Sequence, residues 1–213
     1  MNLLKPYTIK QLIFEGEGVS VDFKKTITSC EKIAKTMVSF ANNKGGRLLV
    51  GVADNGEIKG VKSEEEEKYM LTKAATFFCK PALEPIFEEI YFDNRIVLAV
   101  TIKESDLKPH YALGDDKKWW VYIRVKDKSL LASKIVVEVL KGSSQEQGVL
   151  IEYSGKEKAL LEYLEENERI TTREYGKILN LSRRRAQRIL VNLVLSGVIR
   201  LHTTEKEEYY TAS

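Results

Sequence analysis

The order of apolar and polar positions predicts alternating helices and strands over the first two thirds of the chain. Residues 8–13 predict a short helical turn. Val19, Val21 and Phe23 then alternate with polar residues, which is typical of a half-buried strand with Asp22 on its other face. Apolar residues at intervals of three and four predict an amphipathic helix over 27–42, and two glycines end it.

The next elements follow from turn and capping signals. A buried strand is predicted over 47–53, and Asp54-Asn55-Gly56 predicts a tight turn before a returning strand over 57–61. Ser63 with Glu66 forms a capping box, so a helix should run to about residue 78. Further strands are predicted over 86–92, 95–103 and 119–125, and a helix over 133–141 should close the first domain.

The last third of the chain has a different pattern. Residues 142–155 are rich in Gly, Ser and Gln and indicate a linker. Helices are predicted over 156–166, 172–179 and 183–196, followed by strands over 198–201 and 208–211 that can pair as a hairpin. Three helices and a hairpin predict a winged helix-turn-helix. We therefore expect a first domain at 1–141, a linker at 142–155 and a winged helix-turn-helix domain at 156–213.

Composition narrows the possible functions. The 213 residues carry 34 Lys and Arg against 31 Asp and Glu, so any nucleic-acid surface must come from local clustering of charge. Two cysteines and two histidines exclude a zinc finger, a Cys-x-x-Cys redox pair and a His-rich metal centre. The sequence has no apolar stretch near the roughly 20 residues that span a bilayer, and its start lacks signal-peptide features. We expect a cytoplasmic protein with no membrane partner.

Local clustering of charge occurs in the helix over 183–196. This is the second helix of the predicted helix-turn-helix, whose first residues meet bases and phosphates in the major groove. No acid occurs from Ser182 to His202, and the cations lie at the helix end where the dipole disfavours them. The predicted DNA contacts are Arg183, Arg184, Arg185, Gln187 and Arg188, with Lys206 in the wing. A solvated helix surface or a protein-protein module is the alternative.

Three motifs in the first domain carry a family resemblance. They are Glu17 with Asp22-Phe23-Lys24, the segment Ala41-Asn42-Asn43-Lys44-Gly45-Gly46, and Gly51-Val52-Ala53-Asp54-Asn55-Gly56, with Tyr122-Ile123-Arg124-Val125 further on. Their order and spacing resemble the Schlafen AlbA-like domain. The resemblance implies an α+β fold on a nucleic-acid-binding scaffold, followed here by the winged helix-turn-helix domain. Bacterial members of that family are usually described as DNA-binding transcriptional regulators.

The resemblance also implies candidate catalytic and metal-binding residues. In nuclease members three acids form a metal-dependent RNA-cleaving centre, and they fall here on Glu17, Asp22 and Asp54. Clustered carboxylates can hold Mg²⁺ or Mn²⁺ and activate water. The structural alternatives are that Asp54 caps its turn, Glu17 is a solvated loop residue, and Asp22 pairs with Lys24 or Arg124. Under either reading, the expected phosphate contacts in this domain are Lys24, Lys44, Arg47 and Arg124.

These observations favour a two-domain DNA-binding protein that regulates transcription. DNA is the expected partner, with RNA as the other nucleic acid, and no cofactor is required for DNA binding. A homodimer is expected because two winged helices can occupy two half-sites. A metal-dependent endoribonuclease ranks second, because Asp22 stands where the family pattern has Glu and the chain has one lobe where nuclease members have two. A protein-protein adaptor ranks third.

Overall fold

The structure is a computed structural model that describes residues 6–92, 94–144 and 154–213, with side chains from residue 9 onward. It divides into two units, Met1–Ala132 and Ser133–Ser213. Each unit has a hydrophobic core of its own. Within the described residues, no helix is both long enough and apolar enough to span a membrane.

In its described residues, the first unit combines three helices with two four-stranded sheets. Its helices are α1 (Pro6–Glu15), α2 (Cys30–Ala41) and α3 (Glu64–Phe77). The first sheet has the order β1 (Val21–Lys24), β2 (Gly46–Val50), β5 (Arg95–Ile102) and β4 (Ile86–Phe92), and only β1 and β2 are parallel neighbours. The second sheet is antiparallel, in the order β3 (Cys79–Lys80), β6 (Tyr111–Leu113), β7 (Trp119–Val125) and β8 (Lys128–Leu131).

Helix α2 forms the centre of this unit. Ser29 caps its N-terminus by accepting a hydrogen bond from the Lys32 N–H, so the helix begins later than the predicted residue 27. One face of the first sheet, including Leu48 and Val50, packs on α2 and α3, whereas Leu49 faces the cluster that contains Ile9 of α1. Because the second half of β2 is covered on both faces, its last three residues are all apolar.

Asn42, at the end of α2, joins this helix to the second sheet. Its side-chain amide donates to the carbonyls of His110 and Tyr122, and its oxygen accepts from the His110 N–H, at 2.9, 2.9 and 2.7 Å. These three bonds satisfy the buried amide. The asparagine of the family motif therefore fixes the position of β7.

The second unit is a winged helix-turn-helix with an additional helix. Its elements are α4 (Lys134–Ser143), α5 (Gly155–Glu166), α6 (Thr172–Ile178), α7 (Arg183–Leu195), β9 (Ile199–Thr203) and β10 (Glu208–Ala212). The two strands form an antiparallel hairpin, and Tyr210 makes an isolated bridge with Ile170. The buried cluster includes Leu160 of α5, Tyr175 of α6 and Leu190 of α7.

The helix predicted over 133–141 lies in this second unit, whereas the sequence places the end of the first domain at residue 141. Ile135 belongs to the same buried cluster as Leu190, and Val139 packs against that cluster. The contacts therefore divide the chain after Ala132. Of the predicted linker, residues 145–153 lie outside the described residues, and α4 extends to Ser143.

The α+β architecture and most predicted elements are confirmed, including the strands over 86–92 and 119–125. The returning strand predicted over 57–61 is reduced to one bridge between Val52 and Ile58. Short strands β3, β6 and β8 were not predicted, because segments of two to four residues contain too few positions for an alternating pattern.

Candidate nucleic-acid interface

The turn between α6 and α7 fixes the start of the helix that the sequence predicts as the DNA reader. Asn180 has a φ of 48° in this turn, and the Leu181 N–H donates to the Gly176 carbonyl at 2.8 Å. A Cβ on Gly176 would lie 3.4 Å from the Leu181 carbonyl oxygen. Ser182 then caps α7 by accepting from the Arg185 N–H at 3.4 Å. The two helices are therefore held in a helix-turn-helix arrangement.

The buried side of α7 directs its arginines outward. Ala186, Ile189, Leu190, Val191 and Leu193 are buried. The four arginines of the first two turns, Arg183, Arg184, Arg185 and Arg188, are exposed, whereas Gln187 is half-buried. The N-terminal end of a helix attracts anions through the helix dipole. The guanidinium groups lie at the same end of α7 and add to this attraction.

Helix α6 adds two cations that sequence reasoning missed. Arg173 and Lys177, one turn apart, line a cleft of about 540 Å³ together with Arg183 and the residues of the turn. Both cations are exposed. Their spacing of four residues was a signal in the sequence, because residues at i and i+4 share a helix face. The first helix of such a motif crosses the DNA backbone, where these cations can meet phosphates.

The wing presents Lys206 at its tip. The turn is held by Thr204, whose side-chain oxygen accepts from the Lys206 and Glu207 N–H groups at 3.3 and 3.0 Å. Lys206 is exposed, as a phosphate contact requires. Glu207 pairs with Arg169 at 3.2 Å, which connects the wing to the segment before α6.

In the first unit, the predicted acid Asp22 is buried in an ion cluster. Its two carboxylate oxygens lie 2.9 Å from the Lys24 Nζ and 3.4 Å from an Arg124 Nη atom. Glu17 lies beside them, 4.0 Å from the Lys24 Nζ, and accepts the Phe23 N–H at 2.8 Å. Asp22 therefore has the structural role that the sequence offered as an alternative, pairing with both cations, and it is not on a solvent-facing strand surface.

The two carboxyl groups of this cluster have opposite pKa shifts. Burial raises the pKa of Glu17 to about 7, and the hydrogen bond and negative charge of Asp22 add to the rise. Burial also acts to raise the pKa of Asp22. Hydrogen bonds from Glu17 and Lys24 and the charges of Lys24 and Arg124 outweigh it, and the pKa is lowered. Asp22 is therefore the ionised partner, and Glu17 holds a proton against it in slightly acidic solution.

Asp54 does not complete a metal centre with these acids. It is exposed in its turn, where the Asn55 side-chain oxygen accepts the Glu57 N–H at 3.1 Å. Across the described part of the chain, no three His, Cys, Asp or Glu side chains are grouped so that they could hold a metal ion. Asp22 is already paired with two cations, and the pKa of Glu17 is raised, which favours a proton on its carboxyl group. The residues present do not fit a Mg²⁺ or Mn²⁺ site.

Arg124, predicted as a phosphate contact, is instead a structural residue. Its side chain is 1% exposed. Its Nε donates to the Gly18 carbonyl at 2.9 Å and an Nη donates to the Val21 carbonyl at 3.1 Å. Its guanidinium also lies over the Phe40 ring, 5.0 Å from the centroid. These contacts occupy the guanidinium inside the protein, so it cannot reach a nucleic acid.

The other cations predicted in this unit divide into two groups. Lys24 is half-buried and also donates to the Phe23 carbonyl at 2.6 Å, which places it within the ion cluster. Lys44 is exposed and Arg47 is half-buried, and both line a cleft of about 370 Å³. Lys103, which sequence reasoning missed, lines the same cleft. Lys44, Arg47 and Lys103 thus line one cleft that a phosphate can approach.

The family model described as Schlafen, AlbA_2 matches residues 17–133, and a model described as winged helix-turn-helix DNA-binding matches residues 154–200. No curated protein matches.

Two solved structures are similar to the chain. The crystal structure of the DIP2311 protein from Corynebacterium diphtheriae has 17% sequence identity and a TM-score of 0.44, over 64% of this chain and 30% of that one. The solution NMR structure of the N-terminal domain of a RecG-related protein from Nitrosomonas europaea has 19% identity and a TM-score of 0.44, over 72% of this chain and 97% of that one. The chain thus spans less than a third of the Corynebacterium protein.

Proposed function

Because the chain belongs to the Schlafen AlbA_2 family and carries a winged helix-turn-helix DNA-binding domain behind it, we propose that it is a DNA-binding transcriptional regulator. In this proposal α7 reads the major groove and α6 crosses the phosphate backbone. The observation that carries the proposal is the group of exposed arginines at the capped N-terminus of α7.

The chemistry of these side chains suits duplex DNA. Arg184 and Arg188 lie one turn apart on the outer side of α7, where a guanidinium can bind guanine or phosphate with two hydrogen bonds. Arg173 and Lys177 of α6 supply phosphate contacts beside them, and Lys206 supplies another from the wing. Such contacts give affinity that depends on salt, because each neutralised phosphate releases counterions.

We propose a supporting role for the first unit in nucleic-acid binding or assembly. Lys44, Arg47 and Lys103 line a cleft that suits sequence-independent phosphate contacts. We also propose that the protein acts in the cytoplasm as a homodimer, because two winged helices can occupy two half-sites of one operator. Light scattering at micromolar concentration should then report a dimer, and a monomer both with and without DNA would contradict this part of the proposal.

The experiment that tests DNA reading measures the affinity of the full chain for a mixed-sequence duplex of about 30 base pairs at several salt concentrations. Arg184→Ala plus Arg188→Ala should weaken binding and reduce the slope of log affinity against log salt by about one for each lost phosphate contact. Fluorescence anisotropy with a labelled duplex provides the measurement.

A control variant removes the same charge elsewhere. Lys62→Ala plus Lys158→Ala changes two exposed cations, one in the first unit and one on α5. This variant should keep the wild-type salt slope. An unchanged slope in the folded arginine variant would reject α7 as the contact surface.

A further inference from the structure

Helix α4 lies along α7 and runs in the same direction. Near the start of both helices, Lys134 and Glu138 of α4 line one cleft with Arg184 and Gln187 of α7. Near their ends, a Cβ on Gly142 would lie 2.4 Å from a methyl carbon of Leu195, which means that the α4 backbone directly contacts this side chain. The contact therefore extends along most of the length of α7.

The side of α7 that α4 covers is the outer side. Arg184, Arg188, Val191 and Leu195 are spaced by four, three and four residues and therefore form one line along the helix. This line lies opposite to Ala186, Leu190 and Leu193, which pack in the core of the winged helix. The outer side is the one that a reading helix inserts into the groove.

Burial along this line changes at its middle. Arg184 and Arg188 are exposed, but Val191 is only 7% exposed although it points away from the three core positions. It belongs to the same buried cluster as Ile135 of α4, and Val139 packs against that cluster. The C-terminal half of the outer side is thus covered by apolar contacts with α4.

Polar contacts hold the N-terminal end of α4 beside the arginines. The Ser133 hydroxyl, which caps α4, donates to the Glu208 carboxylate of β10 at 3.0 Å. Glu138 and Glu208 line the cleft of about 710 Å³ that also contains Arg183 and Arg184. Two carboxylates therefore share a cleft with two of the arginines that are proposed to contact DNA.

We propose that α4 is an autoinhibitory cover, which must leave α7 before α7 can enter a major groove. This inference rests on the proposed DNA-reading function. The major groove is about 12 Å wide and admits one helix of about 10–12 Å diameter. Two packed helices have axes about 8–10 Å apart and together exceed that width. With α4 packed on α7, the protein binds phosphates only through the exposed first turns of α7. When α4 has left, α7 can enter the major groove.

A release variant tests one direction of the proposal. Val139→Asp places a charge against the buried cluster and should free α4 from α7. Duplex binding by the full chain should tighten by about tenfold, which corresponds to a cover that is closed in about nine molecules of ten. Ser143→Asp is the control, because it adds the same charge at an exposed position of the same helix.

A locked variant tests the opposite direction and does not depend on disrupting a core. Gly142→Cys plus Leu195→Cys places two cysteines in contact, and both native cysteines are buried. The oxidised form, checked by mass spectrometry, should bind duplex DNA at least about tenfold more weakly than its own reduced form. Adding reductant should restore the affinity.

The outcomes separate the cover from the function it regulates. Tighter binding on release, or reversible weakening on locking, supports the proposal. Equal affinity of the oxidised and reduced forms overturns the cover while leaving DNA reading intact, and so does equal affinity of folded Val139→Asp and Ser143→Asp. Absence of duplex binding in every form contradicts the proposed function itself.

Discussion

Two clusters of charged side chains, one in each unit, differ in the direction that they face. In the first unit, Asp22 and Arg124 face inward, and their side chains are 6% and 1% exposed. In the second unit, the arginines of α7 face outward at the end of a helix. The same guanidinium group is a structural link in the first unit and an exposed group in the second, and burial decides which partners it can reach.

The two clusters also differ in their relation to the family motifs. Glu17, Asp22 and Arg124 lie in the segments that resemble the Schlafen AlbA-like domain, and the structure uses all three to join β1 to β7 and the loop before β1. The arginines of α7 lie outside those segments. A motif residue that is charged can therefore hold the fold together, and its charge alone does not identify it as a contact.

The largest expected effect comes from breaking the buried ion cluster of Asp22, Lys24 and Arg124 in the first unit. Arg124→Met keeps an apolar chain near Phe40 but leaves Asp22 buried with only Lys24 as a cationic partner. The free energy of unfolding of the first unit should fall by about 3–5 kcal/mol. Urea denaturation followed by circular dichroism measures it.

The matching substitution in the outward cluster gives the contrast. Arg184→Met should change the free energy of unfolding by no more than about 0.5 kcal/mol, because the side chain is exposed.

Adding Asp22→Asn to Arg124→Met should recover part of the lost stability, since the two residues interact directly. Additive effects of these two substitutions would mean that the ion pair does not stabilise the unit.

A smaller effect should appear in the dependence of stability on pH. The pKa of Glu17 is about 7 in the folded protein, against an ordinary value of 4.5. The folded state therefore holds an extra proton between these values, and its stability should decline as pH rises from about 4.5 to about 7. The lowered pKa of Asp22 acts in a separate window, because its contribution is present above 3.8 and is lost as pH falls below it.

Glu17→Gln isolates this contribution. The amide oxygen can still accept the Phe23 N–H, but the side chain no longer titrates. The urea midpoint of the variant should vary less between pH 5 and pH 8 than that of the wild type. Parallel profiles for the two proteins would show that Glu17 does not carry the extra proton.

The smallest expected effect is the response to metal. Asp22 is already paired with two cations, and Asp54 is exposed in a separate turn. Mn²⁺ should therefore raise the melting temperature of the wild type by no more than it raises that of Asp54→Ala. Thermal unfolding with and without Mn²⁺ measures this. A metal-dependent rise together with cleavage of single-stranded RNA, both lost in Asp54→Ala, would instead favour the nuclease alternative.

Elements with long periodic patterns or strong caps could be predicted from the sequence. The strands over 86–92 and 119–125 and the three winged-helix segments have such patterns, and their positions are confirmed within a few residues. The partner of an amphipathic helix could not be predicted in the same way. The pattern of α4 shows that one side is apolar, but only the tertiary contacts show that α7 covers it.

Only part of the candidate site could be predicted from the sequence, again because the sequence does not show which elements pack together. The arginines of α7 were predicted from the sequence, whereas the covered positions Val191 and Leu195 on the same side of the helix were not. Arg124 was misplaced because alternation along β7 identifies a face but not the acid opposite it. That acid, Asp22, is 102 positions away in the sequence.

Hydrogen exchange of the full chain, with and without duplex DNA, tests the central claim most directly. We expect DNA to slow exchange in the first turns of α7 and in the turn between β9 and β10, and to speed exchange in α4 as this helix leaves α7. Slower exchange confined to the first unit, with α7 unchanged, would contradict the claim that the winged helix reads DNA.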